Sequence, residues 1–139
     1  MARLIGLILA LAVALFASAV GLDRERSFHS TVLVIVASYY GLSAVMSGSL
    51  QTLLLESIAI AAFVLLSILG FKLSPWFLVG GLVAHGLFDL FHSHVIANAG
   101  VPAWWPNFCL SYDLTAAACL SGLLWLRRAA LKTTGIRGL

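Results

Sequence analysis

Ala84-His85-Gly86-Leu87-Phe88-Asp89-Leu90-Phe91-His92 sets one carboxylate and two imidazoles inside a run otherwise apolar enough to cross a bilayer. On an α-helix each residue advances about 100°, so Asp89 falls roughly 40° to one side of His85 and His92 roughly 20° to the other. All three share one face, whereas His94 falls roughly 180° from His85 and looks elsewhere. An ionisable residue at membrane depth is costly and marks a site or a buried pair. Three on one face point to a site.

The rest of the chain has the same character. Of 139 residues, 62% are hydrophobic and 9% charged, with a mean hydropathy of +1.07. Soluble domains carry about 25% charged residues, so the sequence reads as an all-α integral membrane protein of one domain, 1–139. Spanning helices are expected at 4–22, 29–47, 51–70, 75–95 and 108–126, each an apolar run long enough to cross. Pro75 suits the first turn of the fourth. Residues 127–139 read as a basic tail.

The first run, with Arg3 before it and Ala17-Ser18-Ala19 near its end, also imitates a secretory signal peptide. Charge asymmetry favours a retained helix. With five crossings, Arg3 lies on one side and Arg24, Arg26, Lys72, Arg127, Arg128, Lys132 and Arg137 on the other. The positive-inside rule then predicts an inner (plasma) membrane protein with its amino terminus outside and its tail in the cytoplasm. The net charge of +3 reflects that tail, and no basic groove with interleaved aromatics suggests nucleic acid. Cys109 and Cys119 lie ten apart on one helix and point in different directions, so they do not pair with each other there.

Residue counts bring the polar groups to one level. Glu56 is five residues after Gln51 and Asp113 six after Asn107, both at outer helix ends, while Asp89 and His92 lie six and three before Val95. At about 1.5 Å per residue these four fall within roughly a turn of one another, with His85 deeper and Tyr39 at its level. Exposure to lipid would be expensive for them all, so they are expected to line a polar pocket open to the outside.

Such a set suits a membrane-embedded enzyme acting by acid and base chemistry on a lipid-like or other apolar small molecule. His85, Asp89 and His92 read as ligands of a divalent metal, zinc or iron, or as acid/base groups. Glu56 and Asp113 would add a fourth ligand or a general base, and Tyr39 and Tyr112 hydrogen-bond donors. Two other classes fit the composition. One is a non-catalytic subunit of a larger membrane complex, with the charges as structural glue. The other is a proton-coupled carrier, which with five helices would need a second copy. The loop 96–107, with Trp104-Trp105, reads as an interfacial anchor or a lid.

The AHGLFDLFH stretch, continued by Val101-Pro102-Ala103-Trp104-Trp105-Pro106-Asn107-Phe108-Cys109-Leu110-Ser111-Tyr112-Asp113, resembles a group of small uncharacterised bacterial integral membrane proteins. That resemblance implies no activity. His85-x-x-x-Asp89 alone looks like one motif of the seven-helix membrane hydrolases, the alkaline ceramidases and adiponectin-receptor-like proteins, in which such residues hold zinc. This chain departs from them in its five helices and in lacking a later His-x-x-x-His.

Overall fold

The computed structural model describes the backbone of residues 1–136 and the side chains of residues 1–132. Among the described residues there are five α-helices and no strand: α1 (Ala2–Val20), α2 (Arg26–Met46), α3 (Leu50–Lys72), α4 (Trp76–Val95) and α5 (Trp105–Ile136). Local chemistry sets their ends. Gly21, at φ 86°, closes α1 in a left-handed conformation that side chains disfavour. The Ser49 hydroxyl accepts from Thr52 N at 3.2 Å and caps α3.

Helix α5 differs most from the sequence expectation. It begins at Trp105, shortening the loop to 96–104, and continues past residue 126 to Ile136, so much of the presumed tail is helical. Between Arg127 and Thr134 there is no proline or glycine, and Ala129, Ala130 and Leu131 are strong helix formers, so nothing local stops the helix. Arg137 lies outside the described residues.

Helix α4 touches α2, α3 and α5, whereas α1 packs on α5. Leu33, Val36 and Ala37 of α2, Phe63 of α3, Leu78 and Leu82 of α4, and Ala117 and Leu120 of α5 form the apolar core. Gly6 lets α1 approach closely, since a Cβ there would overlap Phe108 O and Ser111 Oγ. At one end of the bundle Arg3 Nε donates to Asn107 Oδ1 at 3.0 Å. At the other, Arg127 Nη2 donates to Asp23 O at 2.9 Å, Arg26 Nη1 to Phe71 O at 3.4 Å, and Arg128 lies 5.3 Å over the Trp76 ring. Helices α1 and α5 therefore run parallel, and the described basic residues other than Arg3 gather at one end.

Helices α1, α2, α3 and the Trp105–Lys132 part of α5 are long and apolar enough to span a membrane. Large apolar side chains such as Leu15, Ile58 and Leu65 face outward, more than a water-soluble surface carries. This is compatible with a multi-pass membrane protein. Helix α4 falls outside that set of four because His85, Asp89, His92 and His94 dilute its hydropathy, and the first three of these are buried.

Candidate functional site

The buried face of α4 follows the 100° arithmetic, with Leu78, Leu82, His85, Asp89 and His92 inside. Its neighbours split the polar groups into two tiers. In the deeper tier His85 Nδ1 pairs with Asp113 Oδ2 of α5 at 2.7 Å and lies 3.5 Å from Asp89 Oδ2. Gly86 makes this possible, because a Cβ there would press on Asp113 Cβ at 3.3 Å and on the Leu110 backbone. In the outer tier His92 Nε2 pairs with Glu56 Oε1 of α3 at 2.8 Å, and Asn98 Nδ2 donates to the same oxygen at 2.8 Å.

Tyr40 of α2 joins the tiers. Its hydroxyl donates to Asp89 Oδ1 at 2.5 Å, and its ring stacks on His92 with centroids 3.9 Å apart and planes 21° apart. Phe63 meets His85 edge-on at 4.8 Å and Phe88 meets His92 at 5.5 Å, closing the apolar sides. His85, Asp89, His92, Glu56, Asp113 and Tyr40 are each at most 2% exposed.

The structure thus brings His85, Asp89 and Asp113 together and sets His92 apart from them, with Glu56. The expected ligand set His85, Asp89 and His92 shares one helix face, but seven residues of rise separate its ends, and a carboxylate from α5 fills the place beside His85. One donor atom from each of His85, Asp89 and Asp113 lies within 4.8 Å of the others, a group that could hold a metal ion. Asp89 Oδ2 and Asp113 Oδ1 are buried without a hydrogen-bond partner among the described residues, as is Glu56 Oε2. Buried polar atoms ordinarily find partners, so two acceptor oxygens beside one imidazole suit a cation.

Tyr39 points away from the cluster. It is 40% exposed and meets Trp105 edge-on at 5.2 Å. With Tyr112 and Cys109 it lines an apolar groove of about 240 Å³ between α1, α2 and α5. Cys109 and Cys119 are free. The residues not singled out from sequence are Tyr40 and Asn98. Tyr40 carried a signal, since Leu33, Ala37, Tyr40 and Ala44 form the i, i+4, i+7, i+11 stripe of a buried helix face. Asn98 lies in a loop, where no periodicity aims a side chain.

Comparison with protein-family models, curated proteins and solved structures finds no match to this chain.

Proposed function

We propose that the protein is a membrane-embedded, metal-dependent enzyme whose His85, Asp89 and Asp113 hold a divalent ion, zinc or iron. The observation that carries this is the buried trio of donors from α4 and α5, two of its carboxylate oxygens without a hydrogen-bond partner among the described residues. Charge supports it. Two carboxylates and a neutral imidazole with a divalent cation sum to zero, which removes most of the cost of burying the carboxylates bare at membrane depth. One imidazole and two carboxylates make three protein ligands, the number that catalytic rather than structural zinc takes from its protein.

A bound ion would supply Lewis-acid activation of water or of a substrate oxygen. The chain's own residues do the rest. The Tyr40 hydroxyl fixes Asp89 through Oδ1 and leaves Oδ2 facing His85. The Glu56–His92 pair, a stacked ring away, is the acid/base couple. The apolar groove lined in part by Cys109, one helical turn from Asp113, favours a lipid-like or other apolar substrate. By the positive-inside rule the basic end of the bundle faces the cytoplasm and the Glu56–His92 tier lies toward the outside of the inner membrane.

A second reading, a non-catalytic subunit of a membrane complex, is favoured by one observation: His85, Asp89, Asp113 and Glu56 line none of the described cavities. Metal content separates the two. Inductively coupled plasma mass spectrometry of chelator-free protein in detergent should find about one equivalent of zinc or iron. His85→Ala, Asp89→Asn and Asp113→Asn should lose it while remaining folded, and His92→Ala should keep it. A metal-free wild type overturns the metalloenzyme and leaves the subunit.

A further inference from the structure

We infer that Asn98 is a positioning residue that holds shut an aqueous port to the cluster, through which a hydrated divalent cation reaches His85, Asp89 and Asp113. The inference rests on the metal reading above.

His92 is the member of the cluster that lines a cavity. Although 2% exposed, it lines a space of about 340 Å³ at the α4–α5 loop, together with Ser93, Ile96, Asn98, Val101 and Pro106. A water takes about 30 Å³ in the liquid, so a cation with part of its hydration shell fits. Beyond His92 the next group is the stacked Tyr40 ring, and its hydroxyl touches Asp89. The groove between α1, α2 and α5 is walled mainly by apolar side chains, Leu9, Val32, Ile35 and Val36 among them. A hydrated ion finds no carboxylate, imidazole or amide side chain there. On the loop side it meets an imidazole and an amide.

Asn98 ties this wall to the bundle. Its Nδ2 donates to Glu56 Oε1 at 2.8 Å and to Tyr40 O at 3.1 Å, and its Oδ1 accepts from Gly100 N at 3.1 Å. One short side chain therefore links the loop to α2 and α3 across the mouth of the cluster. Thr52 Oγ1 adds a bond to Ala97 O at 3.3 Å. Gly100 seats on the Ser43 carbonyl so closely that a Cβ would overlap it. Because Asn98 holds the Glu56 oxygen that also receives His92, releasing it frees the loop and loosens the pair beneath at once.

The test uses the full chain carrying Cys109→Ala and Cys119→Ala, with Ile96→Cys as a reporter in the cavity wall. A membrane-impermeant maleimide reads water access. Asn98→Ala removes hydrogen bonds to a carboxylate and to a carbonyl, so labelling should quicken about tenfold or more. Thr52→Val should act in the same direction and less. Ser67→Ala, which breaks the buried Ser30–Ser67 pair toward the basic end of the bundle, should change the rate less than about twofold. In parallel, stripping of bound metal by ethylenediaminetetraacetate should quicken in Asn98→Ala by a similar factor, with the stoichiometry unchanged. Equal labelling of wild type and Asn98→Ala, or equal acceleration by Ser67→Ala, overturns the port. Faster labelling of a protein that holds no metal overturns the metal reading and leaves Asn98 as the latch of a water-filled cavity.

Discussion

Tyr40 is the residue on which the two tiers depend. Its hydroxyl is the donor to Asp89 Oδ1, and the other oxygen of that carboxylate has no hydrogen-bond partner among the described residues. Tyr40→Phe keeps the ring on His92 and removes the donor, leaving a buried carboxylate without a hydrogen bond, a loss of about 1–3 kcal/mol. Thermal unfolding in detergent should show a lowered midpoint for Tyr40→Phe. Tyr39→Phe, on an exposed side chain, should stay within about 0.5 kcal/mol. Equal effects would mean that the hydroxyl does not hold Asp89. The adjacent tyrosines also show what a sequence tells at this scale. Counting residues from the helix ends brings Tyr39 to the level of His85 but does not say which way it faces, and the buried stripe of α2 takes Tyr40 instead. The shared face of His85, Asp89 and His92 was legible because all three lie on one helix. Asp113 beside His85, and Glu56 beside His92, depend on how α5 and α3 are rotated. Both helices are apolar almost all round, so their own periodicity does not fix that rotation.

Among the elements, α1 has the simplest dependence, since it meets the bundle through α5. Gly6 is where the two backbones come closest. Gly6→Leu should push α1 away and lower the thermal midpoint, overpacking of this kind costing about 1–3 kcal/mol. The metal content should hold, because the donors sit on α4 and α5. Gly80, where a Cβ meets open space, is the control: Gly80→Leu should leave the midpoint unchanged or raise it, leucine being the better helix former. If Gly6→Leu also lost metal, α1 would be part of the site's support and not an appended helix. The existence of five helices was legible from the apolar runs, which have the length a bilayer demands. The extension of α5 to Ile136 was not, because a drop in hydropathy marks where a membrane ends and not where a helix ends.

For the whole molecule the quantity that governs access is the side of the membrane from which the cluster is reached. The described basic residues Arg24, Arg26, Lys72, Arg127, Arg128 and Lys132 gather at one end, while Arg3 at the other donates to Asn107. An anionic inner leaflet attracts such residues by about 1 kcal/mol each, and they resist translocation, so the uneven count should fix one orientation. A green fluorescent protein fused after Leu139 should be bright, and alkaline phosphatase fused there inactive, since the first matures in the cytoplasm and the second outside it. Phosphatase fused in the α2–α3 turn after Ser47 should be active, as should phosphatase fused at Ala99 in the loop over His92. The alternation of helices makes these results interdependent, because α2, α3 and α4 are joined by turns too short to let one of them invert alone. Replacing Arg127, Arg128 and Lys132 with glutamine and adding lysines before Arg3 should shift the population toward the inverted form. A dark carboxyl-terminal fluorescent protein beside active phosphatase at the same site would turn the bundle over. His92 and its cavity would then open to the cytoplasm, and the cation in the port would come from the reduced, chelator-rich side of the membrane.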